Sequence, residues 1–153
     1  MELRPLSPSD DDLLVSLEQQ EDVWEFVGTL PLPDEEHPHH LFAIVEGQAS
    51  VGVAGLVRSQ ALDRTDFELL CALRSEAQGR GFAKQACTLV LAWAFDTLKL
   101  ERVIASIGDG NDGARSIATK LGMTALSSGP PGRTVYVKDR GKRKRGLKQG
   151  SSP

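Results

Sequence analysis

The sequence predicts an α/β domain on a mixed β-sheet, and three observations carry that prediction. Short apolar runs rich in Val, Ile and Leu recur between turn residues. Two later segments carry helical periodicity. The elements follow the order strand, helices, then strand, strand, strand, helix, strand, helix, strand, strand, with no internal repeat.

Each element has its own signal. "ELRPL" reads as a short first strand. "SPSDDDLLVSLEQQ" reads as a helix, with Pro8 suited to its first turn, Ser7 or Ser9 as its cap, and Leu13, Leu14 and Leu17 on one face. "VWEFVGTL" reads as a second helical segment, and the Pro-rich "LPLPDEEHPHH" as a loop. "HLFAIVEGQASVGVAGLVR" is two strands joined by a turn at Glu46-Gly47-Gln48. "DFELLCALR" is a third strand with both faces apolar. A helix over 82–98 follows, whose polar positions Lys84, Gln85, Thr88 and Asp96 leave only a narrow wet stripe. "ERVIASI" is a strand. "DGARSIATKLG" is a helix with Ala114, Ile117, Ala118 and Leu121 on its buried face and Gly122 as its stop. "MTAL", a "SSGPPGR" turn and "RTVYVK" complete the sheet.

At 153 residues the chain reads as one domain, over 1–137, followed by a basic, disordered tail over 138–153. Residues 138–148 hold seven Lys/Arg and one Asp, a net +6. The other 11 basic and 20 acidic residues leave the remainder at −9. Such a block is a solvated tail, or a contact for nucleic acid or the ribosome; no aromatic residue is interleaved to stack on bases. Cys71 and Cys87 lack metal-type spacing and read as free thiols of a reducing compartment, so no metal site is expected. No signal-peptide core or membrane-length apolar run is present, and a cytoplasmic location without membrane contact is expected.

Two glycine loops compete for the chemistry. "GDGNDG", 108–113, fits a dinucleotide-binding pattern, but Asp109 and Asp112 would repel a pyrophosphate and no acidic residue follows at the required distance. It also fails as a calcium loop, since Gly113 and Lys120 stand where oxygen ligands are needed. "QGRGFA", 78–83, stands between a strand and a long apolar helix. A Gly-rich turn opening a helix presents unpaired N–H groups to an anion.

Here the chain resembles the GNAT superfamily of acetyl-CoA-dependent N-acyltransferases. Gln78, Gly81 and Ala83 match its phosphate-loop pattern Arg/Gln-x-x-Gly-x-Gly/Ala. "FELLCALRSEAQGRGFAKQA", "FDTLKLERVIASI" and "NDGARSIATKLGM" resemble successive stretches of the RimJ/RimL-like branch. The resemblance spans about residues 41–137. It implies a mostly antiparallel central sheet with helices on both faces, and acetyl transfer to a primary amine, either a protein N-terminus or a small amine-bearing metabolite, by a monomer or homodimer. It also implies that Gly79 to Ala83, including Phe82, cradle the coenzyme A pyrophosphate, with Arg80 and Lys84 adding charge. The strand through Cys71, Ala72 and Leu73 would line the pantetheine and offer an N–H to the thioester oxygen. Asn111 would contact the cofactor near its sulfur, and Arg115 completes the expected cofactor set.

Glu68 stands where the branch carries a strand glutamate and is the base candidate. His37, His39 and His40 are rivals with a suitable intrinsic pKa, placed in a loop. The sequence departs from the family at three points. The branch's serine is Ala114, the general-acid tyrosine of many members falls at Ala118, and the phenylalanine after Leu-Gly is Met123. The proton donor is therefore unassigned, Ser116 being at a different helical position, and water can fill the role. Two alternatives follow: an acyl-CoA-binding protein without turnover, and a ribosome- or RNA-associated protein acting through the tail.

Overall fold

The computed structural model describes residues 1–19, 35–62, 64–126 and 130–141. Its strands are β1 (Glu2–Pro5), β2 (His40–Glu46), β3 (Ala49–Ser59), β4 (Asp66–Leu73), β5 (Arg102–Gly108), β6 (Thr124–Leu126) and β7 (Arg133–Asp139). Its helices are α1 (Asp11–Glu18), α2 (Phe82–Asp96) and α3 (Asp112–Lys120). The strands form one sheet in the order β1-β2-β3-β4-β5-β7-β6. Every neighbouring pair is antiparallel except β4 and β5. The parallel step is dictated by α2, which carries the chain from the end of β4 back to the start of β5.

Side-chain alternation sends consecutive strand residues to opposite faces. Ile44, Ala54, Phe67 and Leu73 pack with Ala86, Val90, Leu91 and Ala94 of α2. Full burial of each larger apolar side chain contributes about 1.5–3 kcal/mol. Ala43, Val53 and Ala72 face the other way and meet Leu13 and Leu17 of α1. Ala105, Ile107 and Tyr136 pack with Ala118 of α3 on the α2 side. Helices therefore cover both faces, as the resemblance implies.

The start of α1 is tied to the first strand by one carboxylate. Asp10 accepts from Arg4 Nη1 at 2.9 Å, Arg4 Nη2 at 2.8 Å and the Ser7 N–H at 2.8 Å. These donors, the Arg4 guanidinium first, hold its pKa at about 2.

The turn at Glu46-Gly47-Gln48 is where the sequence places it, with Gly47 at φ +62°. Helix α2 stops at Asp96 rather than 98, and Lys99 turns the chain at φ +58°. Strand β7 runs through Asp139, two residues past the expected domain limit of 137. Arg140 then donates its N–H to Glu101 O at 2.9 Å and its Nη1 to Lys99 O at 3.1 Å. The expected helical segment over 23–30 and the tail from 142 onward lie outside the described residues. Among the described residues, no helix is long and apolar enough to cross a membrane, and no cluster of His, Cys, Asp or Glu is arranged to hold a metal.

Candidate active site

Strands β4 and β5 are paired through their backbones at one position. β3 and β4 pair from Gly52↔Leu73 to Ser59↔Asp66, and β5 and β7 pair from Arg102↔Asp139 to Gly108↔Arg133. Between β4 and β5 only Glu68↔Ile104 is paired. The feet of the two strands are joined by Asp66, which accepts from Arg102 Nε at 2.7 Å and Nη2 at 2.8 Å. Beyond Glu68 the strands part, so the sheet opens towards Leu73 and Gly108.

The glycine turn stands at that open end. Leu73 passes into Arg74, whose N–H donates to Val51 O at 2.8 Å and whose Nε donates to Ser50 O at 3.0 Å. A 3-10 turn over Ser75–Ala77 follows, with Ala77 buried. Gln78 Nε2 reaches back to Leu73 O at 3.3 Å, which fastens the turn to β4. Gly79 has φ +77° and Gly81 φ +84°, a region that L side chains rarely occupy. A Cβ at either glycine would meet nothing within 4 Å, so both face open space. The N–H of Gln85 bonds Gly81 O at 3.2 Å, and the N–H groups of Phe82, Ala83 and Lys84 precede any i−4 acceptor within α2. N–H groups without an acceptor inside the helix, positive-φ glycines and open space fit a phosphate group.

Charge at this turn differs from the expectation. Arg80 Nη2 donates to both oxygens of Glu46, at 3.0 and 2.8 Å, and its guanidinium lies 4.7 Å from the centre of the Phe82 ring. Its charge is therefore already matched, and Lys84 is the exposed cation beside the turn. Phe82 is buried in the core, so it contributes its backbone rather than its ring.

Because β4 and β5 are parallel, the segments after them emerge at the same end of the sheet. Asn111 thus stands on the same side as the glycine turn. Its Oδ1 caps α3 by accepting the Ala114 N–H at 3.1 Å. Arg115 donates to Asp109 O at 3.2 Å and to the Tyr136 hydroxyl at 3.4 Å. Tyr136 shares the cluster that holds Ala118, so β7 supplies a phenol under the helix whose own position 118 is alanine. Sequence reasoning missed Tyr136, since only the register of β7 brings it there.

Cys71 packs with the α2-facing core beside Cys87. That neighbour, then burial, pushes its pKa well above the ordinary thiol value. Its side chain packs against the core, so it is the backbone of β4 at this position that faces the split. Ala72 and Leu73 are buried at the end of β4.

Glu68 is only 1% exposed. Its Oε2 accepts the Ser106 N–H across the gap at 3.1 Å, and the Ser59 hydroxyl also hydrogen-bonds the carboxylate. Arg133 donates Nε to Ser106 Oγ at 2.8 Å and Nη2 to Ser106 O at 2.6 Å. Burial raises the Glu68 pKa, while Ser59, Ser106 and Arg133 oppose the shift. A solvated strand glutamate would have none of these partners. Such a buried carboxylate offers almost no surface for direct contact with an amine.

His37 and His40 are elsewhere. The His37 ring is centred 4.9 Å from Phe67, and the His40 ring 5.1 Å from Trp93, which lies 5.2 Å from Phe42. Trp93 lies eleven residues along α2 from Phe82, or about 16 Å. His37 and His40 therefore belong to an aromatic cluster at the far end of the helix, remote from the glycine turn.

Residues 1–124 match the family model described as an acetyltransferase (GNAT) domain. The chain belongs to the GNAT acetyltransferases. Its fold is similar to that of spermidine N-acetyltransferase from Vibrio cholerae, crystallised with CoA and spermine, at a TM-score of 0.69 and 16% identity over 89% of this chain and 92% of that one. An acetyltransferase from Thermus thermophilus aligns at 0.62 and 22% identity, covering 90% and 96%. An acetyltransferase from Agrobacterium tumefaciens aligns at 0.64 and 20%, covering 89% and 88%. Among curated protein sequences, none matches.

Proposed function

We propose that this enzyme transfers the acetyl group of acetyl-CoA to a primary amine, in the manner of the RimJ/RimL-like branch. The observation that carries the reading is the coincidence of the Gly79–Gly81 turn with the open end of the β4–β5 split. Backbone N–H groups from Gly79 to Lys84, at the positive end of α2, would hold the pyrophosphate. The split admits the pantetheine arm beside Cys71, Ala72 and Leu73, where a β4 N–H can donate to the thioester oxygen as charge develops. Asn111, which caps α3, and Arg115 within it stand at the same end of the sheet and would contact the cofactor.

The acceptor must be neutral when it attacks. An α-amino group, of pKa about 7.7–8.0, reaches that state more readily than a lysine-type amine at about 10.4. The −9 charge of the chain ahead of the basic tail favours a cationic amine by long-range attraction. Spermidine-like amines and peptide N-termini are therefore the acceptors to try first. Thermal unfolding with acetyl-CoA tests the cofactor half of this reading. A ligand at 100 times its Kd stabilises the fold by about 2.7 kcal/mol. A melting temperature indifferent to millimolar acetyl-CoA would count against it.

A further inference from the structure

We infer that Glu68 is the spacer that sets the width of the β4–β5 cleft, by lending its carboxylate to β5 in place of a β4 backbone carbonyl. The inference rests on the acetyl-CoA reading above, and concerns how the cleft is held open for the pantetheine arm.

Three contacts on one face of the sheet grade the separation of the two strands. At the foot, Asp66 grips Arg102 and holds the strands together. Two residues on, Glu68 pairs with Ile104. Two residues further along β5, a regular parallel ladder would continue with another backbone bond, at a strand spacing of about 4.8 Å. The Ser106 N–H instead meets Glu68 Oε2 at 3.1 Å. A side chain thus bridges a gap that backbone alone would close. It also satisfies a buried donor that an open cleft would otherwise orphan.

Ser106 has a second partner. Arg133 of β7 binds its hydroxyl and its carbonyl, at 2.8 and 2.6 Å. Glu68 therefore bridges β4 to β5 at Ser106, and Arg133 fixes the same residue from above the cleft, near enough to act on the Glu68 carboxylate. Glu68 is a positioning residue in this account. It needs an acceptor oxygen at the reach of a glutamate, and it needs neither a free charge nor access to the amine.

The test compares three variants by calorimetric titration with two ligands, acetyl-CoA and adenosine 3′,5′-bisphosphate. The second ligand carries phosphates for the glycine turn but no pantetheine. Glu68→Gln keeps an acceptor oxygen at the same reach and should bind both ligands within about twofold of wild type. Glu68→Met removes the acceptor, and should weaken acetyl-CoA by about tenfold while leaving the bisphosphate unchanged. Glu68→Asp keeps the charge but is one methylene shorter. It should lose acetyl-CoA affinity in the same selective way, and it serves if the methionine variant does not fold. Wild-type acetyl-CoA affinity in both the Asp and Met variants would overturn the inference. So would a Gln variant that binds normally but loses kcat by about 100-fold or more at neutral pH, since that marks a proton acceptor. A wild-type protein that binds no acetyl-CoA would overturn the cofactor reading itself, before any variant is compared.

Discussion

Arg80, between the two glycines of the turn, donates twice to the carboxylate of Glu46 at the end of β2, at 3.0 and 2.8 Å. The pair ties the turn to the sheet and spends the arginine charge. Both side chains are about half exposed, so the pair contributes little to stability. Glu46→Gln should release Arg80 towards an incoming phosphate. Affinity for acetyl-CoA, read by calorimetry, should tighten about two- to fivefold. A tenfold loss would show instead that Glu46 is needed to shape the turn.

Gly81 is the more sensitive position. At φ +84° a β-branched residue is strained by about 1–3 kcal/mol, although its Cβ would meet open space. Gly81→Val should therefore either rebuild the turn or weaken it, and in both cases misalign the first N–H groups of α2. Acetyl-CoA should raise the melting temperature of the wild type but not of the variant. Equal thermal shifts would remove the turn from the binding site.

Asp10 gives a pH prediction with a definite sign. Its folded pKa is about 2, below the ordinary 3.8. The stabilisation is complete above the ordinary value and is lost as pH falls through about 2. Asp10→Asn should melt lower than wild type at neutral pH, and the difference should shrink between about pH 4 and pH 2. A gap that does not change with pH would mean the Arg4 and Ser7 contacts do not form in solution.

The basic tail must be cut in the right place. A cut at 138 would remove Lys138 and Asp139 from β7 and the Arg140 contacts to Lys99 and Glu101. Removal of 142–153 spares them, and should leave the melting temperature and acetyl-CoA affinity within error of the full chain. If the tail contacts RNA, the same cut should abolish salt-dependent RNA binding by the full chain. A marked loss of stability would show that the tail packs on the domain.

What the sequence made legible was local. Gly79 and Gly81 announce a positive-φ turn because few other residues tolerate one, and the apolar breadth of α2 announces a buried helix. What stayed hidden depended on register between distant strands. Glu68 reads as a base candidate, and its burial shows only when Ser59, Ser106 and Arg133 are brought to it from three other strands. Arg80 reads as a phosphate ligand until Glu46, thirty-four residues earlier, is found beside it. The "HPHH" stretch reads as a polar loop with rival bases, yet two of its rings pack against Phe67 and Trp93. Tyr136 carried no signal at all, since its meeting with Ala118 and Arg115 follows from where β7 joins the sheet.

The most direct measurement is thiol release from acetyl-CoA with a panel of amines, comprising spermidine, simple alkylamines and short peptides with free N-termini. The account predicts release that requires both enzyme and amine, with kcat/KM rising as pH approaches the pKa of each amine. Acetyl-CoA that binds, as judged by the thermal shift, but yields no amine-dependent thiol at any pH would contradict it and leave an acyl-CoA-binding protein on a GNAT fold.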